Sequence, residues 1–202
     1  MKVLRRADAF IWKGSTEVFN MNHQNKTGKK LYFHLIFWIG TVILVLLDQW
    51  SKHLAVIHLK DQPSVSIIPN VFCLEYLENR GAAFGVLQGQ KGFFVLITLV
   101  FFAAVCWIYV QLSAKKRHIP VFFIMSLFLA GAAGNFIDRM IQNYVVDFFY
   151  FELIHFPIFN VADIYVTCGT ILFLLMFLFF YKEKELEEMG QEIFPHKNKT
   201  KR

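Results

Sequence analysis

Phe159-Asn160-Val161-Ala162-Asp163-Ile164-Tyr165-Val166-Thr167-Cys168-Gly169-Thr170-Ile171-Leu172-Phe173-Leu174-Leu175-Met176-Phe177-Leu178-Phe179-Phe180-Tyr181 is the stretch that decides the fold. After Asp163 it carries no charge as far as Tyr181. Its length matches the roughly 20 apolar residues that cross a hydrocarbon core as a helix. An acid at the edge of such a span is costly to hold and marks a functional site by default. A second acid, Asp147, lies sixteen residues earlier, just before this span. Two carboxylates that can meet suggest a pair sharing one proton, the chemistry of aspartic proteases.

Three further apolar stretches lie upstream, so the spans fall at about residues 31–50, 92–112, 119–137 and 161–181. The whole chain of 202 residues is 56% apolar with 24 Phe, too apolar for an ordinary soluble domain. The expected fold is therefore mainly α, a polytopic membrane protein built as a bundle of four transmembrane helices. Residues 1–30 are polar and basic, without the apolar core or small-residue cleavage site of a signal peptide. They read as a cytoplasmic leader. Residues 182–202 read as a charged cytoplasmic tail, beginning as a solvated continuation of the last span.

Lysine and arginine set the orientation, because cytoplasmic flanks retain them. With the N-terminus inside, segments 1–30, 113–118 and 182–202 hold 16 of the 21 Lys and Arg. The net charge of +6 then reflects topology, and a nucleic-acid partner is not required. Cys73, Cys106 and Cys168 show no paired spacing.

The outer segment of about residues 51–91 is long enough to imply structure. Val71–Leu77 is short and rich in β-branched and aromatic residues, and Pro69-Asn70 before it signals a turn. A small extracytoplasmic β-sheet resting on the bilayer is expected there. The second outer segment, around 138–160, is aromatic enough to sit at the interface.

With this topology the intramembrane polar residues all fall in one outer layer. Asp48 and Lys52 share a face of the first helix, Asn135, Asp138 and Arg139 a face of the third, and Asn160 and Asp163 a face of the fourth. Gly131-Ala132-Ala133-Gly134 lets the third helix approach a neighbour closely. Plainer readings exist for each: Asp48–Lys52 and Asp138–Arg139 as structural ion pairs, Asp163 as a helix N-terminal charge, Asp147 as an interfacial acid. From the residues alone, Asp138 and Asp147 both stand open as partner to Asp163. No metal-ligand motif, nucleophilic-serine elbow or phosphate-binding glycine loop occurs. No metal or cofactor is expected.

Five motifs resemble those of the lipoprotein signal peptidases (signal peptidase II), integral-membrane aspartic proteases of bacteria. They are Asp48-Gln49-Trp50-Ser51-Lys52, Asn79-Arg80-Gly81-Ala82-Ala83-Phe84-Gly85, Gly134-Asn135-Phe136-Ile137-Asp138-Arg139, Val145-Val146-Asp147-Phe148 and Phe159-Asn160-Val161-Ala162-Asp163, in the family's order. The resemblance implies Asp147 and Asp163 as the catalytic pair. It implies that Asn79, Gly81, Asn135, Arg139, Asn160 and Ala162 line the site, and that Asp48, Lys52 and Asp138 support it. The outer loop resembles the family's β-cradle. The implied substrate is a prolipoprotein whose cysteine carries diacylglycerol, cut just before that cysteine by a monomer among membrane lipids. The implied location is the bacterial cytoplasmic membrane, with both termini inside and the site near the outer face. The rival expectation is a small proton-coupled transporter or channel subunit, with the acids as a relay.

Overall fold

The computed structural model describes residues 32–81 and 89–195. The expected basic leader, Ala82–Gly85 of the second motif and the end of the tail lie outside the described residues. The chain divides into two compact units, Met1–Trp38 and Ile39–Arg202. In the first, the described residues are the opening turns of helix α1. The polar site lies wholly in the second.

Among the described residues, four helices are long and apolar enough to cross a membrane: α1 (Tyr32–Leu59), α2 (Lys91–Gln111), α3 (Ile119–Gln142) and α4 (Val161–Leu175), which runs on into a π turn at Met176–Phe180. Half of the apolar window of α3 is buried, against 6% for that of α2, so α3 is the central helix. The large side chains left outside, such as Leu96, Val100, Ile171 and Phe179, face where lipid would lie. Pro120 in the first turn of α3 suits a position with no intrahelical N–H partner, and Asn143 ends the helix in the left-handed region with φ 67°. α3 and α4 come close because Gly131 has no side chain. A Cβ there would lie 2.6 Å from Ala162 O and 2.7 Å from Val166 Cγ2.

Strands β1 (Val65–Ile68), β2 (Phe72–Asn79) and β3 (Val145–Tyr150) form one antiparallel sheet in that order. The pairs Leu74↔Phe149 and Leu77↔Asp147 enclose one extra residue on β2, a bulge that re-aims the strand near the site. The expected strand at 71–77 is thus β2. The aromatic stretch of the second outer segment contains β3 of this sheet. Alternation along β3 divides its side chains. Val145 and Asp147 line a cavity, whereas Val146 and Phe148 pack on Ala55 and Leu59. That second contact explains why α1 continues to Leu59, well past its expected end near residue 50. Ala55 and Leu59 are one helical turn apart, and burying a side chain such as Leu59 or Phe148 is worth roughly 1.5–3 kcal/mol.

The tail is not a continuation of α4. Tyr181 is extended (φ −92°, ψ 136°), and a separate amphipathic helix, α5 (Glu183–Ile193), follows. The pattern Leu186, Met189, Gly190, Ile193 gives α5 an apolar face turned toward the bundle.

Candidate active site

The site starts at the entrance to α4. Phe159 pairs with Phe149 of β3: its N–H donates to Phe149 O (3.0 Å), and its carbonyl accepts from the N–H groups of Phe148 and Phe149. Asn160 follows as the helix cap. The Asp163 N–H donates to Asn160 Oδ1 and the Asn160 N–H donates to Asp163 Oδ2, both at 3.1 Å, forming a capping box. The N-terminal charge reading of Asp163 is therefore part of the truth. Its other oxygen, Oδ1, is free for a second task and accepts from Asn135 Nδ2 at 2.8 Å.

Asp147 is held from two sides. Asn79 Nδ2 donates to its Oδ2 at 2.8 Å and Asn160 Nδ2 to its Oδ1 at 2.6 Å. Asn160 Nδ2 also reaches Asn135 Oδ1 at 3.1 Å, so the two aspartates are joined through two asparagines. Asn79 Oδ1 accepts from the Gly81 N–H at 2.9 Å, which fixes the amide's orientation and the turn after β2. Asp147 and Asp163 line one cavity of about 560 Å³, together with Asn79, Gly81, Asn135 and Arg139. Burial and then the charge of Asp163 push the Asp147 carboxyl up to about 7, against the opposing hydrogen bonds of Asn79 and Asn160.

Behind this pair lies a buried ionic knot. Lys52 Nζ donates to Asp48 Oδ2 (2.9 Å), Asp138 Oδ2 (3.1 Å) and Asn135 Oδ1 (2.9 Å). Asp48 Oδ1 accepts from the Ala162 N–H at 2.8 Å, tying α1 to the first turn of α4. Asp138 Oδ2 accepts from the Val146 N–H at 3.2 Å, tying α3 to β3 beside Asp147. Lys52, Asp48 and Asp138 are all buried. A charge in such a place is tolerable only when paired and hydrogen-bonded. The knot meets this condition, and no buried side-chain N or O lacks a partner among the described residues.

Two readings of the sequence change here. Asp138 pairs with Lys52 and not with its neighbour Arg139, because adjacent residues on a helix point in different directions. Arg139 instead faces the cavity. Its Nη2 donates to Gly81 O at 3.2 Å, its Nη1 to Asn135 O at 3.4 Å, and its guanidinium lies 4.5 Å from the Phe94 ring centre. Asp138, the other open partner for Asp163, is absent from the cavity lining and is engaged by Lys52, Gln49 and Val146. Gln49 is a site member that sequence reasoning passed over. Its Nε2 donates to Asp48 Oδ2, Gly134 O and Asp138 Oδ1 at 3.0–3.2 Å. A glutamine at the end of an apolar span was the available signal. Phe94, one of 24 phenylalanines, carried none.

Fold and site together define a multi-pass membrane protein with a buried carboxylate centre at one end of its bundle. Residues 40–179 match the family described as signal peptidase (SPase) II. The chain is 42% identical over 138 residues to the lipoprotein signal peptidase of Streptococcus thermophilus (strain CNRZ 1066), covering 68% of this chain and 89% of that one. It is 39% identical over 150 residues to the lipoprotein signal peptidase of Clostridioides difficile (strain 630), covering 74% and 99%. A solved bacterial membrane enzyme, determined by the in meso method at 2.3 Å resolution, superposes with a TM-score of 0.63 at 34% identity, over 70% of this chain and 87% of the other. The chain belongs to the signal peptidase II family and is a membrane protease.

Proposed function

We propose that the protein is an aspartic endopeptidase that removes the signal peptide from diacylglyceryl-modified prolipoproteins, cutting before the lipid-modified cysteine. It works as a monomer in the bacterial cytoplasmic membrane, with both termini in the cytoplasm and the site at the outer face. The observation that supports this most is the shared cavity of Asp147 and Asp163, each held by its own asparagine, while the neighbouring acids Asp48 and Asp138 are occupied by Lys52.

Asp147, its carboxyl pushed up to about 7 by burial and by the charge of Asp163, is the proton donor of the pair and polarises the scissile carbonyl. Asp163 sits in the first turn of α4, held by the capping box with Asn160 and by Asn135. It takes a proton from a water, whose oxygen attacks the carbonyl carbon. The tetrahedral intermediate gains the Asp147 proton on its oxygen. Collapse breaks the C–N bond as one hydroxyl proton returns to Asp147, and the proton held by Asp163 passes to the departing amine nitrogen. Arg139 and Asn135 hold the peptide backbone in register. The acyl chains remain in the bilayer, so the enzyme need not extract them. The alternative of a proton-coupled transporter has no support: the buried carboxylates Asp48, Asp138 and Asp147 lie in one layer with Asp163 and do not descend through the bundle.

The test uses purified protein in lipid discs with one precursor, with and without diacylglycerol on its cysteine, and reads the products by mass. Cleavage immediately before the modified cysteine, and none of the unmodified precursor, is the expected result. Equal cleavage of both, or of neither, contradicts the proposal.

A further inference from the structure

A second cavity of about 500 Å³ lies at the opposite end of the bundle, lined by Phe101, Ile108, Met125, Phe128, Phe177 and other apolar residues. It lies along the same faces of α2 and α3 as the active-site cavity, with Phe128, packed against Phe101 and Gly169, between the two. On α3, Asn135 and Arg139 line the outer cavity, while Val121, Ile124, Met125 and Phe128 line the inner one. These recur at three- and four-residue steps, so one face of α3 serves both. Phe94, Phe101, Val105 and Ile108 do the same on α2. From Asp163 to Phe180 the flanking helix is about 26 Å long at 1.5 Å per residue. A helical signal peptide has to cover a similar distance from its cleavage point to the cytoplasm.

Helix α5 closes the inner end. Arg117 Nε and Nη2 grip both oxygens of Glu185 at 2.7 and 2.9 Å. The Ser113 N–H and Oγ, with Lys115, hold Glu192. Phe194 lies edge-on to Trp107 at 4.9 Å. Both gripped carboxyls are held near 2, Glu185 chiefly by the hydrogen bond from Arg117, Glu192 by Lys115 and Ser113 against its burial. Glu183, Glu187 and Glu188 are exposed and enter no salt bridge among the described residues. Lys184 is the one cation on this helix, which leaves it acidic.

We propose that the inner groove and α5 form a second substrate subsite: the apolar core of the signal peptide seats in the groove, and its basic N-terminal segment meets Glu183, Glu187 and Glu188. This rests on the prolipoprotein reading above. The complementarity is direct, since signal peptides pair a positively charged start with an apolar core of 7–15 residues or so. The inner cavity offers an apolar wall along the same helix faces as the cleavage site, and the acids stand where the peptide reaches the cytoplasm. The family match covers residues 40–179, and α5 follows it.

The test compares two diacylglyceryl-modified precursors, one with its N-terminal Lys and Arg intact and one with them replaced by Gln. The wild type should show a KM about five-fold lower for the basic precursor, the scale of a few exposed ion pairs. In the triple variant Glu183→Gln, Glu187→Gln, Glu188→Gln the two KM values should converge, with the effect confined to KM. A ratio that survives the triple substitution overturns the proposal. Gly190→Phe is the second arm. A Cβ at Gly190 meets nothing within 4 Å, so the ring can enter the groove without moving backbone. It should raise KM for both precursors with the melting temperature retained. An unchanged KM means that the groove holds only a lipid acyl chain or nothing, and also overturns the proposal. If the wild type cleaves neither precursor, the prolipoprotein reading itself has failed.

Discussion

At the C-terminal end of α3, Asn135, Asp138 and Arg139 lie within two turns, and each meets a partner on another element. At the N-terminal end of the same helix, Val121, Ile124, Met125 and Phe128 line an open apolar groove, and the ion pairs that close it are exposed. The difference is one of determination. A buried polar group must be matched in position as well as in kind, so each hydrogen bond of the knot that crosses between elements fixes two of them at once. Lys52 alone reaches α3 twice and α1 once, and its two carboxylates in turn hold β3 and α4. Apolar packing imposes no such matching, and the N-terminal end of α3 keeps space beside it that something else can fill.

Among changes that leave the two aspartates intact, Lys52→Met should have the largest effect. It strands two buried carboxylates and should cost about 3–5 kcal/mol in chemical unfolding. Lys115→Met, which removes an exposed partner of Glu192, should leave the unfolding midpoint nearly unmoved. Equal effects would erase the contrast between the two ends. Gly131→Ala comes next. The added methyl forces α3 and α4 apart and should cost roughly 1–3 kcal/mol, lowering turnover as Asn135 draws away from Asp163. Gly92→Ala, with open space around it, is the control.

Proton occupancy gives a smaller and sharper test. The Asp147 carboxyl moves from an ordinary 3.8 up to about 7 on folding. Between these values the folded protein holds a proton that the unfolded chain has lost, so stability falls as pH rises through that window. Above about 7 the acid itself is gone, and kcat/KM should decline with an apparent pKa near that value. Asn79→Ala removes a donor that favours the ionised form, and should carry the alkaline limb to higher pH. A limb that stays in place or moves down contradicts the assignment. Phe194→Ala should be the mildest, about 0.5–1.5 kcal/mol from the contact with Trp107.

The four spans were legible because a bilayer imposes a length that composition reveals directly. So was the polar layer, since Asp48, Lys52, Asn135 and Asp163 interrupt otherwise apolar runs. β3 was not: its partner β2 is far away in sequence, and a valine- and phenylalanine-rich segment serves equally as an interfacial loop. The extension of α1 to Leu59 was hidden for the same reason, because Val146 and Phe148 supply the packing. Asp138–Arg139 was misread by adjacency. The helix turns neighbours apart, and Lys52 comes from another helix. The role of α5 was masked because its charges suggest a solvated helix, while Glu185 and Glu192 are anchors.

The central claim is that Asp147 and Asp163 do the chemistry and Asp138 only supports it. Turnover of one diacylglyceryl-modified precursor by Asp147→Asn, Asp163→Asn and Asp138→Asn, read with the melting temperature of each, tests it most directly. Asp147→Asn and Asp163→Asn should each lose about a thousand-fold or more in kcat while remaining folded. Asp138→Asn should lose stability first, because Lys52 then lacks half its countercharge, and should keep substantial turnover wherever it is folded. Near-normal turnover in a folded Asp147→Asn variant would contradict the account.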